Sequence, residues 1–243
     1  MNEAHDLSLA ATAYSAVRRR ILRGELTLGQ AISRRKLAAE LGVSFPPVTE
    51  ALLRLELEGL LESRPRAGTR VRIPSREDVS GHYVVREALE IQASVLCAER
   101  ATRAERAELR RLAERVDSLA ERENRSSYVA LHGRLHRRIS DCARCDALTM
   151  AVERTQALAS IWFCLMRKPL PTDQKNRHQV LVEAILDGEQ GRIADAVKVH
   201  LAVARQRTLE VLEPYFRLRT SRGGRFYRTD KNLRVIPGAA ALH

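Results

Sequence analysis

The chain has 243 residues, enough for one large domain or two modest ones at roughly 100–200 residues each. With 44% apolar, 30% charged and only 4% aromatic residues, the composition excludes fibrous and disordered chains and predicts a mostly α fold. The longest uncharged stretch, residues 155–166, is shorter than the roughly 20 residues that cross a bilayer. We therefore expect no membrane segment. The N-terminal charges run opposite to those of a signal peptide, and the four Cys lack framework spacing, so a cytoplasmic location is expected.

Positive charge is unevenly distributed. The chain has 42 Lys and Arg against 30 Asp and Glu, a formal net charge of +12. Residues 1–76 carry +5 and residues 217–243 carry +6, whereas residues 77–216 carry only +1. Basic ends suit a polyanion such as DNA, because each neutralised phosphate releases condensed counterions. A soluble basic protein without such a partner would show the same balance.

The first 76 residues have the pattern of a helix-turn-helix. Apolar residues at helical spacing predict one helix ending at Gly24 and a second, with Ile32 to Leu41 on its apolar face, ending at Gly42. Ser44 is a good N-cap, and Pro46-Pro47 fit the first turn of a third helix. The tight turn between the second and third helices is typical of the helix-turn-helix.

A β-hairpin wing is predicted next. Residues 60–64 and 69–73 alternate with period two, and Pro65-Arg66-Ala67-Gly68 between them has turn chemistry. In a winged helix the third helix enters the major groove N-terminus first, and Arg66 with Gly68 can approach phosphates or the minor groove. Winged helices also serve as protein-docking modules, but the basic balance favours DNA.

The chain resembles the N-terminal domain of GntR-type transcriptional regulators over residues 37–44, Pro47-Val48 and residues 50–52, 54–56 and 58–60. The likeness covers about 65 residues and departs where the family usually has arginine, at Phe45 and Thr49. Phe45 could contact thymine methyl groups and Thr49 a phosphate or base edge, so the operator can differ from the family's common one. Arg35 resembles the family's DNA-contacting arginine. The predicted DNA-binding residues are Arg34, Arg35, Ser44, Phe45, Pro47, Thr49, Arg54, Arg66, Gly68 and Thr69.

Residues 77–216 have the pattern of an antiparallel all-α bundle. Pro74-Ser75 is a plausible linker. The six predicted helices are roughly 78–101, 103–122, 126–142, 146–167, 173–188 and 190–215.

Histidines carry the chemistry of this bundle. His132 and His136, four residues apart, share one helix face and could supply two metal ligands. His178 and His200, on two other predicted helices, could complete a site inside the bundle. Taken alone, such a pair is often a coincidence or a solvated face.

The chain is similar to the FCD effector domain of FadR-type GntR regulators over residues 85–90, residues 131–148, residues 178–185 with Gly188, and His200-Leu201. The likeness implies a divalent cation held by one Asp and three His in metal-containing members. His136, His178 and His200 match the histidines, and His132 stands at the Asp. This exchange favours zinc, nickel or copper over manganese, with zinc or nickel expected, although His132 could stay idle.

The same likeness implies that Arg86 binds a small carboxylate metabolite beside the metal. A guanidinium can hold a carboxylate through two hydrogen bonds while open metal positions take other oxygens. The alternative is an ion pair between Arg86 and Glu90, four residues later on the same helix.

Three smaller signals are interpreted as structural. Cys142-Ala-Arg-Cys145 lacks the partners of a four-thiolate zinc site, and inert packing is favoured over a redox switch. Trp162, Phe163 and Met166 with Leu158 predict core or a dimer seam. Residues 217–243 predict a flexible basic tail that could add phosphate contacts.

The sequence thus predicts a transcriptional regulator, a homodimer on palindromic operator DNA, whose affinity a small carboxylate switches. Repression is favoured over activation, since blocking needs only occupancy. The competing hypotheses are a metal-dependent hydrolase with a DNA-binding module and a nucleic-acid binder without an effector.

Overall fold

The computed structural model describes residues 3–121, 125–164 and 176–220. They form two compact units, one comprising the chain up to Ser75 together with the chain from Glu213, the other comprising Arg76–Leu212. The predicted mostly α fold, with an N-terminal winged helix and a helical C-terminal part, is confirmed. Of the predicted tail, residues 217–220 are helical, and the rest lies outside the described residues.

The first unit places three helices against a small sheet. Its elements are α1 (Glu3–Leu22), β1 (Ala31–Ile32), α2 (Arg34–Leu41), α3 (Phe45–Leu57), β2 (Leu61–Arg64) and β3 (Gly68–Val71). The sheet is antiparallel in the order β1-β3-β2. Ile32 therefore lies in a strand, not on the second helix where the apolar spacing had placed it, because pairing with Thr69 of β3 takes precedence over local periodicity.

Local signals fix the helix-turn-helix. The Ser33 hydroxyl accepts a hydrogen bond from the backbone N–H of Lys36 and so caps α2. Gly42 ends that helix in the left-handed conformation, with φ of 65°, which only glycine adopts at little cost. The buried face of α3, including Val48 and Leu55, packs against α1.

The wing is a hairpin whose turn exposes Arg66. Strands β2 and β3 pair from Leu61 with Val71 to Arg64 with Gly68. Between them Arg66 has a φ of 63°, a left-handed conformation uncommon for a residue with a Cβ. The predicted hairpin and its turn are confirmed, and the turn presents an exposed guanidinium at the wing tip.

The second unit is a helical bundle. Its elements are α4 (Arg76–Arg100), α5 (Arg103–Glu121), α6 (Arg125–Cys142), α7 (Asp146–Cys164), α8 (Arg177–Asp187) and most of α9 (Gln190–Thr220). Helix α4 packs against α6, α7 and α8, and α5 packs against α6 and α8. Within the described residues, none of the helices is both long and apolar enough to cross a bilayer.

Helix α9 continues through a proline. The predicted helix ends at residue 215, but α9 reaches Thr220 with Pro214 inside it. Proline removes one backbone hydrogen bond and crowds the preceding turn. Burial of Leu212 and Phe216 on either side of Pro214 offsets this local cost.

Candidate functional site

The leading turn of α3 is exposed and has a free hydroxyl. Phe45 is 51% exposed, and Ser44 stands at the N-cap with extended backbone but makes no capping hydrogen bond through its side chain. A cap would bond the N–H of the second or third helical residue, and here those are Pro46 and Pro47, which have none. Ser44 is therefore the N-cap residue of α3, as predicted, but its side chain contributes no capping hydrogen bond and its hydroxyl stays exposed.

Other predicted DNA-binding side chains on α3 already have contacts within the protein. The Thr49 hydroxyl donates to the backbone carbonyl of Phe45 at 3.0 Å. The guanidinium of Arg54 lies 4.2 Å above the Tyr14 ring and 3.5 Å from a Glu58 carboxylate oxygen, but its side chain stays 61% exposed. Pro47 is buried in the core, so it shapes the helix rather than presenting a surface.

A hydrogen bond between Arg34 and Thr69 links α2 to the wing. Arg34 donates to the Thr69 hydroxyl at 3.2 Å, and Thr69, only 3% exposed, also shares a hydrogen bond with Ser63. In contrast, Arg35 and Arg66 are exposed and have no ion pair among the described residues. Gly68 is exposed beside Arg66, with open space around its Cα. The face therefore combines two uncommitted arginines, a free hydroxyl and an exposed aromatic ring.

The four predicted metal-binding histidines come together inside the second unit. His132 and His136 lie on α6, His178 on α8 and His200 on α9. One ring nitrogen from each can be chosen so that all four lie within 4.8 Å of one another. Adjacent nitrogens of a tetrahedral zinc site are about 3.4 Å apart, given Zn–N bonds of about 2.0–2.1 Å. Modest side-chain rotations would therefore bring these four donors to coordination distance.

Burial favours the neutral form of three imidazoles in the cluster. Burial lowers the pKa of His132 and of His200 well below the usual value, and neighbouring positive groups lower both further. Burial likewise lowers the pKa of His178 to about 4, although Asp117 opposes that shift. A neutral ring has the lone pair that a metal ligand needs, so protons compete little for these three rings at neutral pH.

Two carboxylates contact ring nitrogens of His178 and His136. Asp117 of α5 lies 2.5 Å from Nδ1 of His178, and Glu90 of α4 lies 3.3 Å from Nδ1 of His136. The opposite nitrogens, Nε2 of both rings, are buried without a hydrogen-bond partner in the described part of the chain, as is Nδ1 of His200. A carboxylate on one nitrogen and an unsatisfied lone pair on the other is the usual arrangement of a metal-binding histidine.

Sequence reasoning missed Asp117 and considered Glu90 only as a partner of Arg86. Glu90 is 46 residues from His136, and Asp117 is 61 residues from His178. No spacing rule connects positions so far apart, because their contact depends on how α4 and α5 pack against the histidine helices. The one local signal for the position of Glu90 was its spacing of four residues from Arg86.

Arg86 lies beside this cluster and is engaged. Its Nε and a terminal nitrogen both reach Glu90, at 2.8 and 2.7 Å, and the two side chains are only 5% and 8% exposed. Burial would raise the pKa of Glu90, but Arg86 and His136 together outweigh burial and lower that pKa to about 2. The Arg86 charge is therefore neutralised by Glu90, and the same carboxylate orients His136.

A small cavity adjoins the cluster. Its polar lining consists of Glu90, Ser94, His136, Ser140, Gln156 and His200. The cavity has a volume of about 10 Å³, which is room for about one water molecule. The side-chain nitrogen of Gln156 is buried without a partner among the described residues. A larger molecule would have to widen this cavity.

Other reactive or aromatic side chains of the bundle have structural partners. Ring nitrogen Nε2 of His82 lies 3.0 Å from the Thr155 carbonyl oxygen, outside the histidine cluster. The Cys142 thiol and burial both raise the pKa of Cys97 on α4, and the two side chains are buried. Trp162 is buried and meets the His82 ring edge-on. The predicted apolar partners at 163 and 166 have side chains outside the described residues.

Two family sequence models match the chain. The model "Bacterial regulatory proteins, gntR family" matches residues 9–71, and the model "FCD domain" matches residues 82–203. They cover the winged-helix region and the part of the bundle that contains the four histidines and Arg86.

Curated relatives are bacterial regulators. The chain is 30% identical over 183 residues to the "Probable D-xylose utilization operon transcriptional repressor" of Paenarthrobacter nicotinovorans, covering 75% of this chain and 80% of that protein. It is 24% identical over 144 residues to the HTH-type transcriptional repressor RspR of Escherichia coli strain K12, covering 59% and 63%.

Solved structures share the fold. A transcriptional regulator GntR from Rhodococcus sp. RHA1 superimposes with a TM-score of 0.68 at 21% identity, covering 84% of this chain and 98% of that one. E. coli McbR/YncC gives 0.65 at 21% identity, covering 86% and 98%. With its winged helix-turn-helix followed by an FCD domain, the chain belongs to the GntR family of bacterial transcriptional regulators.

Proposed function

We propose that this GntR regulator is a metal-containing repressor whose operator affinity is switched by a small carboxylate. The observation that carries the proposal is the four-histidine cluster, in which three buried ring nitrogens lack partners and two rings are held by carboxylates. An unsatisfied buried nitrogen costs roughly 1–3 kcal/mol, and three together are hard to explain without a ligand.

The donor set fits zinc or nickel. Four imidazoles provide no negative charge, so they favour borderline metals over manganese or magnesium, which prefer oxygen. When bound, the ion would supply a Lewis-acidic position for an oxygen ligand. His136 and His178 would hold it through Nε2, oriented by Glu90 and Asp117. His132 and His200 complete the set, with Nδ1 of His200 as its uncommitted nitrogen.

A carboxylate effector would bind where Arg86 and the cavity meet the cluster. Arg86 uses two nitrogens on Glu90, and its remaining N–H groups can share a second carboxylate. Because the cavity holds about one water, binding requires the lining helices to move apart. This requirement would couple effector binding to a change in the bundle, and such coupling is typically worth about 1–3 kcal/mol.

On the DNA side, Arg35, Ser44, Phe45 and Arg66 form the proposed reading surface, and a homodimer would place two such surfaces on a palindromic operator. Repression is supported by the two relatives named as repressors. Sensing is favoured over hydrolysis because Glu90 and Asp117, the carboxylates at the cluster, both contact imidazole nitrogens and are not free to act as a general base.

The test is metal analysis of full-length protein purified without chelator, combined with native mass spectrometry. We expect about one zinc or nickel per chain within a dimer. The double variant His136→Ala, His178→Ala should lose stoichiometric metal. Asp117→Asn should keep the ligands but weaken metal binding roughly 10–100-fold, because the His178 ring is no longer oriented by a charged partner.

The matched control is Asp195→Asn, an exposed carboxylate on α9. It should bind metal as the unmodified chain does. A full equivalent of metal in the double histidine variant would show that the ligand set is wrong. A monomer at micromolar concentration on DNA would contradict the homodimer.

A further inference from the structure

A glutamine on α7 lines the cavity beside the histidine cluster and has no role in the proposed function. The Nε2 atom of Gln156 is buried and has no hydrogen-bond partner in the described part of the chain. A buried N–H group without an acceptor is destabilising, so such groups are usually paired with protein, water or a ligand. This amide is therefore a candidate for contact with a molecule bound in the cavity.

Gln156 shares this cavity with two rings of the cluster, His136 and His200. The uncharged polar side chains of the lining come from three different helices: Ser94 of α4, Ser140 of α6 and Gln156 of α7. The Ser140 hydroxyl donates to the backbone carbonyl of His136 at 3.2 Å, so its proton is already used. The Nε2 atom of Gln156, in contrast, has protons that it can donate to a molecule in the cavity.

The charge and the size of the cavity limit what Gln156 can contact. Glu90, the carboxylate in the lining, is already paired with Arg86 at 2.7 Å. A further charged group in the cavity would need a further counter-charge, whereas an uncharged oxygen needs only hydrogen bonds. Because the cavity has room for about one water molecule, it fits a single oxygen atom of a ligand without much widening. These conditions favour a hydroxyl or carbonyl oxygen as the partner of Gln156.

We propose that Gln156 is a specificity-determining residue of the effector site and donates a hydrogen bond to an uncharged oxygen of the effector. This role rests on the proposed function, in which Arg86 holds a carboxylate beside the same cavity. The effector is then a carboxylate with a second oxygen in a hydroxyl or carbonyl group. A carboxylate without that oxygen would leave the buried Gln156 amide unpaired, and this penalty selects against it.

The test compares pairs of carboxylates that differ by one hydroxyl group. The pairs are acetate with glycolate, butyrate with 3-hydroxybutyrate, and succinate with malate. Each compound is titrated by calorimetry into full-length protein, chelator-treated or loaded with zinc, at equal ionic strength. We expect the hydroxylated member of at least one pair to bind roughly tenfold more tightly or better. In Gln156→Leu this preference should disappear, while the affinity for the member without the hydroxyl stays within about twofold.

The matched control is Gln206→Leu, which makes the same exchange at an exposed glutamine on α9. It should keep the preference for the hydroxylated compound. Gln156→Leu removes a buried N–H group that has no partner, so its melting temperature should not fall below that of the unmodified chain. Gln156→Met keeps an unbranched side chain without the amide and should lose the preference in the same way, so the test does not depend on how well leucine packs.

The outcomes separate this role of Gln156 from the metal proposal. A hydroxyl group that only coordinates zinc would give a preference that survives in Gln156→Leu and Gln156→Met. Such a surviving preference, or the absence of a preference in all three pairs, overturns the role of Gln156. Zinc content is measured on the same samples. Bound zinc without a Gln156-dependent preference leaves the metal proposal standing alone, whereas a Gln156-dependent preference in a chain that binds no zinc refutes the metal proposal and supports the role of Gln156.

Discussion

The two candidate sites solve opposite physical problems. At the winged helix, Arg35 and Arg66 are exposed and the Ser44 hydroxyl is uncommitted, so the surface keeps its polar groups in water until a partner replaces that water. In the bundle, His136 and His178 are buried and already oriented by Glu90 and Asp117. Substitutions at the first site should weaken binding with little loss of stability. Substitutions at the second should affect both.

Breaking the buried ion pair should give the largest effect. Glu90→Gln leaves the Arg86 guanidinium, 5% exposed, without its counter-charge. Removing one partner of a buried pair typically costs about 3–5 kcal/mol of unfolding free energy. Urea denaturation of chelator-treated protein measures this loss without any contribution from metal.

The double variant Arg86→Gln, Glu90→Gln is the control for that experiment. It removes both charges and should recover most of the stability, because two neutral amides of similar shape can bond each other. A Glu90→Gln protein that loses less than about 1 kcal/mol would mean that the pair contributes little and that the bundle tolerates a free guanidinium there.

Acid should lower the unfolding free energy of the bundle, because a buried histidine binds a proton less readily than an exposed one. His82 allows this effect to be measured outside the histidine cluster. Burial, helped by Arg86, lowers the pKa of His82 to about 4, against about 6.5 in an unfolded chain. Between these values the unfolded chain binds the proton and the folded one does not, so stability falls as pH falls from 6.5 to 4. The loss amounts to up to about 3 kcal/mol from this residue.

His82→Gln should therefore show a shallower decline of unfolding free energy over that pH interval than the unmodified chain. Nuclear magnetic resonance of the His82 ring, which should titrate near pH 4, gives an independent measurement. Parallel stability curves for the two proteins, or a ring that titrates near 6.5, would contradict the assignment.

The smallest effects on stability are expected at the DNA face. Arg35→Ala and Arg66→Ala should each reduce the slope of log affinity against log salt by about 1, as one phosphate contact is lost. Their unfolding free energies should change by no more than about 0.5 kcal/mol. Binding is measured on a duplex recovered by selection from a random library. Arg103→Ala, an exposed arginine on α5, is the control of equal charge.

An unchanged salt slope in both Arg35→Ala and Arg66→Ala would count against the proposed reading surface. A slope that falls equally in Arg103→Ala would show that net charge, not a specific contact, governs binding.

The sequence predicted what local rules control. Gly42 in its left-handed conformation, the wing turn at Arg66 and the shared face of His132 and His136 all follow from short-range spacing. Contacts between residues far apart in the chain could not be predicted from the sequence. Strand β1 exists because Ala31 pairs with Arg70, 39 residues later, and Asp117 meets His178 only because α5 packs on α8.

The end of the last helix shows the same limit. The sequence predicted that this helix ends at residue 215, but α9 reaches Thr220, and Leu212 and Phe216 are buried on either side of Pro214. This burial comes from packing, which the local pattern does not show.

The two prolines after Ser44 have a consequence for protein engineering. Replacing Pro46 with alanine would restore an N–H at the second helical position, and the serine could then cap the helix for roughly 1 kcal/mol. The same change would turn the hydroxyl inward and withdraw it from the duplex. A variant made more heat-resistant in this way would bind its operator less tightly. At this single turn, a gain in thermostability is therefore a loss in recognition.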